Sequence, residues 1–352
     1  MALTATPLAD IVGQANPEPD ALLHVVPTTE DTVFTWDYDR TREPLSRLYD
    51  KAKQSQWDAN DLPWDTEVDQ EKMAHAEAAL MGGFSAGIDV QGTAFEHWDE
   101  AEWLRFGIEA QNWMLSNFLH GEQGALLCTA KLIDTVPWID AKFYGATQVM
   151  DEARHVEVFA RYLDEKLSGH YPINFHLRSL LDDIVSDSRW DVTYLGMQVL
   201  VEGMALAAFG MISQIVEEPL LKMLLRKVMV DEARHVAFGV LSLAEVYDGL
   251  NAAEIRERQE FAYEATMRMR DRFAMQEVWE RFDVAIPEAT RLIVQRPERQ
   301  MFQQMLFAKI VPNCSKLGLL DAGDGWLRER YTELGIIGFE SYASGDDEVD
   351  DR

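Results

Sequence analysis

One pentapeptide, DEARH, stands twice in the chain, at residues 151–155 and 231–235, each time followed by valine. On an α-helix residues i and i+3 share a face, so Glu152 with His155, and Glu232 with His235, can each aim a carboxylate and an imidazole at one point. A single Glu-x-x-His carries little weight, because both residue types are common on solvated helix faces. The spacing adds to it: Glu122 precedes Glu152 by 30 residues, and Glu202 precedes Glu232 by 30. In an antiparallel hairpin with a short turn, that interval leaves about 13 residues per limb, a climb and return of roughly 20 Å, so both glutamates reach one height. Two such hairpins face to face gather four carboxylates and two imidazoles. Hard oxygens with borderline nitrogens, and no thiolate, suit two iron ions, manganese or a mixed Mn/Fe pair rather than structural zinc.

Glu122 lies within SNFLHGEQGALLCTAKL and Glu202 within GMQVLVEGMALAAFGM, surroundings that predict burial. A buried carboxylate is costly unless it is protonated or ligates a cation. These two are the candidate catalytic positions, beside which dioxygen and a substrate would sit. Asp151 and Asp231, one residue before the metal-facing glutamates, are turned about 100° around their helices and point to a neighbouring helix instead. Their natural recipients are the free imidazole N–H groups of the opposite histidines, Asp151 for His235 and Asp231 for His155, with ion pairs to Arg154 and Arg234 as the competing role.

The elements that must position these residues are helices. From residue 99 onward the chain is rich in Leu, Met, Ala, Glu and Arg with apolar residues three and four apart, and no strand-like alternation occurs. Helices are predicted at about 99–131, 137–167, 190–216 and 219–248, with Pro137 and Pro219 in first turns and GHYPINF, residues 169–175, interrupting the two halves. The fold class is all-α, a four-helix bundle with flanking helices. Residues 1–98 form an N-terminal arm, laid over the surface to about residue 40, and then helices beginning near Pro44 and over 67–81, the latter broken by Gly82 and Gly83. Residues 249–344 form C-terminal helices at about 251–282, 297–311 and 323–334, packed on the bundle or, in a homodimer, on a second subunit. A Glu264–Arg268 pair supports the first of these. Residues 345–352, GDDEVDDR, form an acidic tail expected to be mobile.

Composition narrows the partners. A net charge of -29 repels phosphate backbones, which excludes nucleic acid. No basic and apolar leader opens the chain and no apolar run reaches the roughly 20 residues of a membrane span, so a cytoplasmic protein without membrane attachment is expected. Cys128 and Cys314 are too few and too far apart for a disulfide framework or a zinc ribbon. His24, His75, His97, His120, His170 and His176 lack partner spacing and are expected at the surface or in loops. Trp36, Trp57 and Trp64 are expected to anchor the arm in the core.

With one Glu from each of two helices and Glu-x-x-His from two others, residues 99–248 resemble the ferritin-like di-iron carboxylate superfamily. The Asp-Glu-x-Arg-His form resembles the hydroxylase subunits of bacterial multicomponent monooxygenases. That resemblance implies a non-haem di-iron oxygenase or oxidase, and second-shell roles for Asp151, Arg154, Asp231 and Arg234. The threonine those hydroxylases carry after the third glutamate is Leu206 here. The third histidine of the arylamine oxygenases is matched by Val228. The radical tyrosine of ribonucleotide reductase small subunits is matched by Phe159, with Tyr162 nearby. Small residues Gly203, Ala205, Ala207 and Ala208 either leave room for substrate or allow a close helix crossing. No Gly-x-Gly-x-x-Gly fingerprint occurs, so electrons must come from a separate donor protein or from an organic small-molecule substrate. Ferroxidase, peroxidase or iron storage is the alternative activity, and a non-catalytic helical scaffold is the second alternative.

Overall fold

The computed structural model describes residues 22–80, 83, 89–294 and 297–342, which contain helices and no strand. The acidic tail and residues 1–21 of the arm lie outside them. After an extended arm, α1 (Glu43–Gln54) and α2 (Gln70–Leu80) lead to four long helices: α3 (Glu100–Thr135), α4 (Ile139–Lys166), α6 (Trp190–Ile215) and α7 (Pro219–Tyr247). Between α4 and α6 lies α5 (Phe175–Ser186), which the interrupted pattern did not predict; Leu177, Leu180, Leu181 and Ile184 give it a buried face. The fold is all-α and ferritin-like.

Two of the four long helices start where the sequence supplies a side-chain cap. Asp99 accepts from the Glu102 amide at the head of α3, and Glu218 accepts from the Leu220 and Leu221 amides at the head of α7, where Pro219 takes the first position. Pro137 stands two residues ahead of α4 rather than in its first turn. Helix α6 is long and apolar enough to cross a membrane by length and composition, but most of it is buried in the protein, as suits a core helix. Its middle, Leu195–Val201, is a π-helical segment that ends at Glu202. Such segments widen the turn and shift the face presented downstream.

The helix predicted over 251–282 is two helices, α8 (Ala252–Arg272) and α9 (Gln276–Arg281). Asn251 and Glu254 form a capping box at the start of α8, and Arg268 pairs with Glu264 at 2.6 Å. The break comes at Met275, which takes a left-handed conformation with φ 55°. Tertiary packing accounts for it: the turn delivers the Trp279 ring onto Phe106, 4.5 Å between centroids, within an aromatic core that also holds Phe95 and Trp103. The chain continues through α10 (Ile286–Ala289), α11 (Pro297–Met305), α12 (Ile310–Lys316) and α13 (Trp326–Glu333), so the helix predicted over 297–311 is also divided.

Two further expectations are corrected. His176 is buried on α5 and His120 is half-buried on α3, its Nε2 2.9 Å from the Tyr171 carbonyl oxygen. Trp64 is buried, whereas Trp36 is 74% exposed and stacks on Phe34.

Gly239 of α7 meets the π segment of α6, where an added Cβ would lie 2.7 Å from the Gln198 Cβ. That neighbour is close to the backbone and cannot swing away. Gly239→Val is expected to destabilise the protein by about 1–3 kcal/mol, read from urea denaturation midpoints.

Candidate metal centre

Glu122 reaches the bundle axis from α3, Glu152 and His155 from α4, Glu202 from α6, and Glu232 and His235 from α7, and all six are buried. Two groups of ligand atoms form. Glu122, Glu152, His155 and Glu232 present donor atoms within 4.8 Å of one another, and so do Glu152, Glu202 and His235. Glu152 belongs to both. The Nδ1 of His155 lies 3.2 Å from Glu122, 3.4 Å from Glu152 and 3.1 Å from Glu232. That of His235 lies 2.9 Å from Glu152 and 3.6 Å from Glu232. Both imidazoles therefore turn Nδ1 inward and Nε2 outward.

Outward, each ring meets the aspartate of the other motif. His155 Nε2 is 3.2 Å from Asp231 Oδ2, and His235 Nε2 is 3.5 Å from Asp151 Oδ2. Arginines share the same carboxylates: Arg154 donates to Asp151 at 2.5 Å and to Asp231 at 3.1 Å, while Arg234 donates to both in turn. The crossed histidine contacts and the ion pairs thus coexist.

Three further residues complete this surround. Helix α1 leads into Gln56, which donates to Asp151 at 3.0 Å, and Trp57, whose Nε1 donates to Asp231 at 2.8 Å and whose ring lies under the Arg154 guanidinium. Neither has a sequence signal beyond being polar or aromatic. Gln148, fully buried one turn before Glu152, donates from Nε2 to Glu152 at 3.1 Å and to Glu202 at 2.9 Å. Its position four residues before Glu152 on the same helix face was a usable signal; the matching position in the second motif is Val228.

The electrostatics are those of a cation site. Burial and the nearby Glu232 carboxylate push Glu122 up to about 8, and burial with Glu152 pushes Glu202 well above the carboxylate range. Burial would raise Glu152 too, but the two imidazoles outweigh it and hold that carboxyl low. Burial opposes charge on His155 and His235, yet the surrounding carboxylates raise both well above the usual histidine value. Among the described residues, and apart from the imidazole–carboxylate contacts just given, Glu152 Oε2, Glu202 Oε2, both Glu232 oxygens and His235 Nδ1 make no hydrogen bond. Buried acceptors left unpaired cost about 1–3 kcal/mol each, and divalent cations would satisfy all of them at once.

Beside the ligands, on the side away from the aspartates, lies a cavity of about 30 Å³ lined by Glu122, Glu202, Glu232, Phe118, Ala205 and Ala208 among others. Ala205 and Ala208 therefore leave space, whereas Gly203 faces Ile310 of α12. Phe159 packs with Phe118 and Phe209, and Tyr162 donates to Glu218 at 3.0 Å, away from the cluster.

No protein-family model and no curated protein matches the chain. Among solved structures, a variant of an R2-like ligand-binding oxidase with an anaerobically reconstituted Mn/Fe cofactor aligns at 16% identity with a TM-score of 0.51. The alignment covers 78% of this chain and 93% of that one. Another variant of such an oxidase, also with a reconstituted Mn/Fe cofactor, aligns at 15% identity with a TM-score of 0.48, covering 80% and 95%. The first likeness is one of fold: both chains are built on a ferritin-like helical bundle.

Asp231 holds His155, Arg154, Arg234 and Trp57 together, so Asp231→Asn should fold but lower metal affinity by about 10 to 100-fold in chelator competition. Trp57→Phe, which removes one of those contacts, should cost less.

Proposed function

We propose that the chain is a di-iron or Mn/Fe carboxylate oxidoreductase, an oxidase or oxygenase that uses dioxygen to oxidise an organic molecule. The observation that carries this reading is the pair of buried donor groups sharing Glu152, with carboxylate oxygens that lack any other partner. Charge supports it. Glu122, Glu152, Glu202 and Glu232 with Asp151 and Asp231 bring six negative charges, Arg154 and Arg234 return two, and two divalent ions match the remainder. The cofactor named for the structural neighbours, Mn/Fe or Mn/Mn, agrees with this donor chemistry.

A bound pair of redox-active ions would supply the electron transfer to dioxygen. The protein's own groups do the rest. Asp151 and Asp231 fix the imidazole orientation and keep Nε2 occupied, so Nδ1 is left to coordinate. Gln148 holds Glu152 and Glu202 in place. Glu122 and Glu202 stand both among the ligands and at the cavity wall. Phe118, Phe159 and Phe209 keep bulk water from that wall. The resemblance of Asp-Glu-x-Arg-His to the multicomponent monooxygenases favours oxygenation, in which a separate donor protein delivers two electrons; in an oxidase reaction the substrate itself provides them.

Protein reconstituted anaerobically with ferrous iron is expected to bind about two ions per chain, and Glu202→Ala or His235→Ala to lose at least one of them. Oxygen uptake should accelerate with the right organic substrate. Metal-free wild type after reconstitution would refute the reading, and oxygen exposure that only builds a ferric mineral would replace it with iron storage.

A further inference from the structure

The last residue of α8, Arg272, is 6% exposed and lines the same cavity as Glu122, Glu202 and Glu232. Among the described residues no carboxylate pairs with it, its Nε has no hydrogen-bond partner, and the neighbour the guanidinium does meet is the Phe273 ring, 5.0 Å away. Other buried arginines are matched. Arg258 grips Asp191 through two bonds of 2.8 and 3.0 Å, Arg270 meets Asp271 at 2.8 Å, and Arg154 and Arg234 share Asp151 and Asp231. In a chain with 61 acidic residues against 32 basic ones, a buried arginine without an acid is an exception. Burying an unpaired charge is expensive, and here desolvation alone lowers the guanidinium to about 10, which still leaves it charged at neutral pH.

The rest of the cavity wall between Arg272 and the glutamates is mainly apolar: Phe118, Val201, Met204, Ala205, Ala208 and Phe209. Gly121 also lines it, and an added Cβ there would meet nothing within 4 Å. The space holds about two water-sized groups, the size of a short acid. His120, which feels the Arg272 charge, is pushed toward its neutral form by burial and supplies no anion.

We propose that Arg272 anchors the carboxylate of an organic monocarboxylic acid, the substrate class of the oxidoreductase proposed above, with its apolar body along Phe118 and Phe209. The inference rests on that functional reading for the word substrate, and on the unpaired arginine for the word carboxylate. A planar guanidinium is suited to grip a carboxylate through two bonds, and its place in the cavity that Glu122 and Glu202 also line sets which carbon faces the ligand cluster.

The test is calorimetric titration of full-length, manganese-loaded protein with acetate and propionate, and with acetamide and propionamide as neutral counterparts. Both acids should bind more tightly than their amides. Arg272→Met should weaken the acids by at least about 10-fold and leave the amides unchanged, with Arg272→Lys between. Gly121→Phe, which fills the cavity and keeps the arginine, should abolish propionate binding and decides the matter if Arg272→Met does not fold. Equal binding of acids and amides, no acid binding to wild type, or unweakened acid binding by either variant overturns the proposal. Metal content is measured on the same samples: wild type that takes up no metal yet binds acids through Arg272 would sink the dimetal reading and keep the anchor.

Discussion

Six acidic side chains, Glu122, Glu152, Glu202, Glu232, Asp151 and Asp231, are buried within one region of a helical bundle, and the rest of the structure answers to the cost of putting them there. Inside a bundle there is no water to solvate them. Their compensation comes in layers: imidazoles face the glutamates, arginines face the aspartates, and the remaining carboxylate oxygens are left for cations. This explains why segments outside the four long helices matter. Helix α1 brings Gln56 and Trp57 to the aspartate side, and the break between α8 and α9 brings Arg272 and Phe273 to the cavity side.

The two halves of the bundle share spacing and motif but not surroundings. Glu202 follows a π-helical segment, whereas Glu122 sits inside an uninterrupted α-helix. Gln148 supports Glu152 and Glu202 on one side of the pseudo-twofold axis, where the other side has Val228, which carries no donor. A near-symmetric ligand set in an asymmetric surround makes two inequivalent positions, which is what a pair of different metal ions, or a reaction confined to one face, requires. The cavity is on one face as well, bounded by Glu122, Glu202 and Glu232 with the aspartates opposite.

Second-shell architecture also ties stability to the site. Asp231 touches His155, Arg154, Arg234 and Trp57, which come from two helices, α4 and α7, and the segment after α1. A network so shared is worth more than its separate bonds, and losing one member exposes the others to burial without a partner. The aromatic core around Phe106 and Trp279 has the complementary role of fixing the α8–α9 turn through apolar contact alone.

Helix periodicity, caps and the doubled Glu-x29-Glu-x-x-His were enough to foresee four helices of nearly the observed bounds and a ligand cluster at one height, because those properties depend on residue spacing along a regular helix. The crossed contacts of Asp151 and Asp231 followed from the same geometry, since a rotation of about 100° leaves only a neighbouring helix within reach. Residues whose roles depend on distant partners were not legible. Gln56 and Trp57 matter only because α1 docks beside α4 and α7, and α5 was hidden behind the irregular GHYPINF stretch that leads into it. Met275 breaks a helix because Trp279 has somewhere to pack, and Arg272 goes without an ion pair because the fold sets it at a cavity wall rather than against an acid. Local spacing therefore determined what the ligands are and at what height they meet. Tertiary packing decided what surrounds them, because burial and pairing are set by chain segments far away in the sequence.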